Sequence, residues 1–445
     1  MSSRPLAAML VAAGWLVAAD FSLLDAVKRR DPKAVESLLH RHADVNAAQP
    51  DGATPLAWAV HNGDRAMAEM LLAAGAKVDA ANEYGETPLT LACLNGDAVL
   101  VSQLLKAGAD AKAARWNGET ALMIASGVGS ADVVRSLIAH GAGVNTTESR
   151  KGQSAIHWAA AEGHSEVVRL LIEHGASVNA ASKGGFTALA FAAIKNDPAS
   201  VKALLAAGAD ENYALPDGTK VLMAAASHHS TAAALELLDG GADPNIADRT
   251  GNTVLHTAAQ AGDVALIRKL IAKWVPVDPK TAEVASGRGT GGFRFVTGAQ
   301  TPLFLAARAG QIEAMRALIE ARADTQAKAQ DGSSFLMAAV GSGKVEVVRF
   351  AYEYDPGVKI VTSNGATLMH ASVTGTSNGA TQEAQERVCE VIRFLAEKGA
   401  PLDEKNANGR TPIDLADILP IDKAVDLLTK LILKSGATPK SPSKR

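Results

Sequence analysis

The segment Gly287-Arg288-Gly289-Thr290-Gly291-Gly292 has the spacing G-x-G-x-x-G. Such a run holds a pyrophosphate when it joins a parallel strand to a helix N-terminus, where backbone N–H groups converge on the anion. Here it lies between stretches patterned as helices, with no strand before it and no Lys-Ser/Thr after it as a phosphate loop requires. A loop displaying Phe293 and Phe295, with no cofactor, is expected. His228-His229, between Ser227 and Ser230, is the one unusual histidine pair. Neighbouring helical residues point in different directions and no third ligand is indicated, so no metal is expected there. Serines are plentiful, but no Ser, His and acid form a recognisable nucleophile arrangement. Cys93 and Cys389 are nearly 300 residues apart and are expected to be two separate buried thiols.

Those residues must be positioned by an interior made mainly of Ala, Leu, Val and Ile. Apolar residues are 47% of the 445, too many for a disordered chain, whereas aromatics are only 4%. Lys plus Arg number 44 against 47 Asp plus Glu, a net charge of −3, and a general nucleic-acid binder would be clearly basic.

Pro5 to Ala19 is uncharged and ends Val17-Ala18-Ala19, just before Asp20. Its length falls short of the roughly 20 residues of a membrane span, and small residues end it where signal peptidase cuts. Residues 1–19 read as a cleaved secretory signal, which would place the mature chain in a periplasm or outside the cell. The alternative is an apolar helix packed on the end of the fold.

One short phrase recurs along the rest of the chain. It is TPLAWA at Thr54, TPLTLA at Thr87, TALMIA at Thr120, SAIHWA at Ser154, TALAFA at Thr187 and KVLMAA at Lys220. It continues as TVLHTA at Thr253, TPLFLA at Thr301, SFLMAA at Ser334, TLMHAS at Thr367 and TPIDLA at Thr411. The steps are 33, 33, 34, 33, 33, 33, 48, 33, 33 and 44 residues, and a degenerate copy begins at Phe21. In the copy from Gly152 to Ala180, Ser154 is placed to cap a first helix that Gly163 closes. Val167, Leu170 and Leu171 stripe a second helix that ends at Gly175. Such helices are too short to stand alone, so stability must come from stacked neighbours. The fold class expected is all-α, a solenoid of about twelve helix–turn–helix units.

The 33-residue period and GQSAIHWAAAEGHSEVVRLLIEHGASVNA resemble the ankyrin repeat, whose motif includes T-P-L-H-x-A. That resemblance implies stacked helix pairs with projecting finger loops, protein–protein recognition through the fingers and the inner helices, and no catalysis. It also implies that His157, His256 and His370, fourth in the phrase, hydrogen-bond adjacent loops. Repeats one to eight are assigned to 20–279 and a Gly-rich finger insertion to 280–300. Repeats nine to twelve take 301–433, interrupted at 374–386, and a disordered basic tail takes 434–445. After Lys273, Trp274-Val275-Pro276 replaces the usual Gly-Ala, and Tyr352 to Ile360 lacks the usual helix ending, so the tenth unit is expected to be distorted. The added finger and late insertion resemble secreted bacterial members of the family.

Fingertips have no core to fill, so their side chains are candidates for contact. Tyr84, Arg115, Trp116, Arg150, Lys151, Lys183 and Phe186 fall there, with Phe293 and Phe295 in the enlarged finger. Aromatic residues and Arg are enriched at interface centres. Trp58 and Trp158, fifth in the phrase, are expected to be half-buried packing residues. The chain therefore reads as a monomeric scaffold binding another protein, one with an acidic patch, with no nucleic acid partner and no membrane span. Two alternatives are an exported effector or inhibitor of a foreign or host protein, and an enzyme using the Gly-rich finger with His228-His229. Expression in a Gram-negative host should yield a secreted chain beginning at Asp20, read by N-terminal sequencing; only uncleaved cytoplasmic chain would refute the signal.

Overall fold

The computed structural model describes residues 23–284, 298–375 and 381–440. Two compact units divide the chain, Met1–Asp217 and Gly218–Arg445. In the first, α1 (23–28) pairs with α2 (Pro32–His40), α3 (Pro55–His61) with α4 (Arg65–Ala73), and α5 (Pro88–Leu94) with α6 (Ala98–Lys106). There follow α7 (Ala121–Val128) with α8 (Ala131–Ala139), α9 (Ala155–Glu162) with α10 (Ser165–Glu173), and α11 (Ala188–Lys195) with α12 (Pro198–Ala206). The second unit begins with α13 (Val221–Ser227) and α14 (Thr231–Asp239), α15 (Val254–Ala261) and α16 (Val264–Ala272), and α17 (Pro302–Ala309) and α18 (Ile312–Glu320). It ends with α19 (Phe335–Gly341) and α20 (Val345–Tyr354), α21 (Leu368–Thr374) and α22 (Gln382–Glu397), and α23 (Pro412–Ile418) and α24 (Asp422–Lys434). The described residues contain no strand beyond isolated bridges at finger stems, so the chain is an all-α repeat solenoid.

Local chemistry fixes where each short helix starts. Thr54 Oγ1 accepts the amide of Ala57 at 3.2 Å, and Pro55 occupies the first turn, where its missing N–H costs nothing. Several second helices use aspartate instead: Asp64 Oδ1 accepts Met67 N–H at 3.0 Å and Asp97 Oδ1 accepts Leu100 N–H at 3.0 Å. Second helices end two residues before a left-handed position, filled by Gly75, Gly108, Gly141, Gly175 and Gly208 in the first unit. In the second unit Trp274 takes that conformation at φ 62°, a strain of about 1–2 kcal/mol for a residue with a Cβ.

Packing supplies what length cannot. First helices stack on first helices, α7 on α9 and α9 on α11, and second on second, α8 on α10 and α10 on α12. Ala159 and Ala160 are fully buried at the first contact, and Val167, Val168 and Leu171 at the second. Both thiols are buried and unpaired, and burial pushes the Cys93 thiol up to about 12 and Cys389 in the same direction. Trp58 and Trp158 are half-buried. Trp58 Nε1 donates to Gln49 Oε1 at 2.9 Å.

Histidine joins neighbouring repeats. His157 Nδ1 lies 3.2 Å from Ser154 N and 2.9 Å from Ser154 Oγ, while Nε2 reaches the carbonyl of Ala180 at 3.0 Å. An amide only donates, so Nδ1 is the acceptor and Nε2 carries the proton. His256 bridges Thr253 to Gln300 O at 2.9 Å, and His370 bridges Thr367 to Arg410 O at 3.0 Å. These are the loop bonds implied by the resemblance. Burial lowers the pKa of all three rings.

Departures from the repeat fall in the second unit. Thr281 N–H donates to Gln300 O at 3.0 Å and Ala299 N–H to Thr281 O at 3.1 Å, closing a stem below 285–297. Gly287 to Gly292, Phe293 and Phe295 lie outside the described residues, as does the apolar run 5–19. The α20 helix ends at Asp355 instead of a glycine, and this buried carboxylate accepts Leu336 N–H at 2.9 Å. The late insertion separates α21 from α22, which is 16 residues long. Beyond α24, Lys440 N–H donates to Asp403 Oδ2 at 2.6 Å.

Replacing the fully buried Leu171 by Ala should cost about 2–5 kcal/mol in a denaturant titration, because its neighbours cannot collapse into the space. A histidine whose folded pKa is lowered binds more protons when unfolded, so its contribution is complete above about pH 6.5 and lost as pH falls toward the lowered value. The melting temperature should therefore drop as pH falls below about 6.5, and His157→Gln should lower it at pH 7.5 while flattening that drop. An unchanged slope in the variant would remove His157 from this role.

Candidate functional site

Each finger in the first unit is a tight turn on a short stem, bridged between Ala114 and Thr120 and between Ala181 and Thr187. Successive fingers are tied by one backbone hydrogen bond each. Trp116 N–H donates to Tyr84 O at 3.2 Å, Ser149 N–H to Asn117 O at 2.9 Å, and Lys183 N–H to Lys151 O at 2.7 Å. Gly85, at φ 76°, shows how close the approach is: a Cβ there would lie 2.9 Å from Trp116 N. Four consecutive fingers thus form one connected row.

A side-chain acceptor recurs at one register inside the turns. Asn82 Oδ1 accepts Tyr84 N–H at 3.0 Å and Glu86 N–H at 2.9 Å, and Ser182 Oγ accepts Phe186 N–H at 3.1 Å. Glu148, only 4% exposed, fills that register in the basic finger. Its carboxylate takes the amides of Arg150 at 2.6 Å, Lys151 at 2.8 Å and Gln153 at 2.9 Å. Burial alone would raise its pKa, but those N–H groups and the Lys183 charge outweigh it and hold the carboxyl below the usual range. Glu148 therefore builds the finger that presents Arg150 and Lys151.

The candidate residues divide into displayed and supporting groups. Trp116 is 74% exposed and Tyr84 55%, and Arg150, Lys151 and Lys183 are exposed beside them. Arg115 turns inward: its guanidinium bonds Glu86 Oε1 at 2.8 Å and Glu119 Oε2 at 3.1 Å, clamping its finger to the preceding one. Phe186 is half-buried against Phe191, ring centroids 5.5 Å apart. Glu86, Glu119, Glu148 and Phe191 are the supporting residues that composition did not single out. The recurrence of Asn82, Glu148, Ser182 and Asp248 at one or two repeat lengths was the available signal for the turn acceptors.

Elsewhere, His228 and His229 are exposed, and His228 Nδ1 lies 2.9 Å from Ala224 O. Among the described residues no group of three or more His, Cys, Asp or Glu side chains is placed to hold a metal ion. None of the described helices is long and apolar enough to cross a membrane.

The family model described as "Ankyrin repeats (3 copies)" matches residues 23–115, 91–182, 122–215, 189–283, 222–329, 282–364 and 303–382. These overlapping matches run without a break from 23 to 382. No curated protein matches the chain.

Glu148→Ala should leave the turn amides unpartnered and cost about 1–3 kcal/mol. Faster hydrogen exchange confined to residues 148–153 would be the local signature. Unchanged exchange there would show that the turn holds without its carboxylate.

Proposed function

We propose, from the premise that this chain belongs to the ankyrin-repeat family, that it is a scaffold which binds a partner protein through the finger row of its first unit. Members of that family are generally protein–protein interaction modules, typically without enzymatic activity. The observation that carries the assignment is Trp116, a large aromatic displayed at 74% exposure on a turn bonded to the next finger. An exposed aromatic costs solvation unless a partner covers it, and a preformed row loses little conformational entropy on binding. Arg150, Lys151 and Lys183 flank it with positive charge, which suits a partner bearing an acidic rim around an apolar pocket. Export of the mature chain from Asp20 belongs to the same proposal and rests on the apolar run 5–19.

The test starts from partners recovered with the mature chain and identified by mass spectrometry. Trp116→Ala should weaken binding by about 2 kcal/mol or more if the side chain is the anchor. Reversing Arg150 and Lys151 to Glu should mainly slow association, with the effect shrinking as salt is added. Unchanged affinity and on-rate in both, with circular dichroism intact, would move the contact away from this row.

A further inference from the structure

A cleft of about 380 Å³ opens in the second unit, bordered by the inner helices α17, α19, α21 and α23 and by their finger stems. Its origin is legible in the phrase. The fifth position, Leu305 in α17 and Leu415 in α23, falls to Ala338 in α19 and Ala371 in α21. Two consecutive small residues leave a hollow floored by Phe304, Met337 and Leu415. At its far end α19 and α21 come together: a Cβ on Gly375 would lie 2.6 Å from the Cα of Gly341.

Among the described residues, two that line this cleft carry a donor without a protein acceptor. Gln300 is 7% exposed, and its backbone is fixed by bonds to Thr281 and His256. Its side-chain Nε2 is nonetheless buried with no hydrogen-bond partner. A buried amide left unsatisfied is costly, which points to an acceptor that arrives from outside. Arg308, at the other end of α17, is exposed, lines the same cleft, and has no carboxylate among the described residues. Asp331 is the acid in the cleft wall, and its Oδ1 takes the amide of Ser333 at 2.9 Å. Gln300 and Arg308 are eight residues apart, roughly 12 Å along the helix direction, which an extended chain covers in three or four residues.

We propose that this cleft receives an extended acidic segment of a partner protein, with a main-chain carbonyl on the Gln300 amide, a carboxylate on Arg308 and an apolar side chain in the hollow at Ala338 and Ala371. The proposal rests on the assignment of the chain as a protein-binding scaffold but not on the finger row. The volume is that of a small-ligand pocket and holds two or three side chains.

Fluorescence anisotropy with labelled seven-residue peptides tests it without a known partner. Each peptide carries one Leu and one Glu separated by one to three residues, with Gln and Lys replacing Glu in controls. At least one Glu peptide should bind, and its Gln counterpart should bind about tenfold more weakly, since a charged acceptor makes the stronger bond. Arg308→Gln should abolish that preference, and Ala371→Leu should block binding by filling the hollow. Gln300→Leu should weaken binding without lowering the melting temperature, because its amide has no partner to lose in the free protein. Any one of three results overturns the site: no peptide binds, the Glu preference survives Arg308→Gln, or Gln300→Leu destabilises the free chain. Binding of N-acetylglutamate as tightly as the peptide would also overturn it, in favour of a small-carboxylate site. A chain that ignores every peptide yet captures a partner through Trp116 loses only the cleft.

Discussion

A helix of seven residues leaves more of its backbone polar groups unpaired than paired, and that shortage governs the molecule. Four N–H groups at one end and four C=O groups at the other have no partner within an α-helix. The sequence answers at both ends: Thr or Ser with Pro at the start of a first helix, Asp at the start of many second helices, a left-handed residue at the finish. Histidine extends the answer across the repeat boundary, since His157 satisfies the Ser154 amide and the Ala180 carbonyl with one ring. Caps fix where each helix lies, and only then do Ala159, Val167 and Leu171 meet their neighbours.

The same satisfaction rule shapes the fingers. A projecting loop with free amides would be mobile, and ordering it on a partner would consume binding energy. Asn82, Glu148 and Ser182 pair those amides beforehand, and the backbone bonds between successive turns limit independent motion. Trp116 and Tyr84 are then held in view by a framework already paired, with Arg115 as a strut between two glutamates.

Much of this was legible in the sequence because a repeat writes the same physical requirement many times over. The phrase beginning Thr-Pro, the glycines after the second helix and the His at its fourth position each mark a backbone group that needs a partner. What the pattern hid is what occurs once. Arg115 occupies a register where other fingers place an acceptor, and only three dimensions show Glu86 beside it. The small residues Ala338 and Ala371 stand in the phrase, but the cleft they leave is visible only when four helices stand together. The exposed Trp274 could be seen to break the Gly-Ala ending, but its left-handed backbone required coordinates.

Sulfur chemistry gives the packing a further meaning. Burial pushes the Cys93 thiol up to about 12, so it keeps its proton at pH 7. Cys389 is displaced the same way by burial. A thiol that keeps its proton is a poor nucleophile for attack on a disulfide, and both sulfurs are shielded while the stack stays closed. Two buried, unpaired thiols leave the stack without a covalent cross-link, and an oxidant reaches either one only where the repeats open locally.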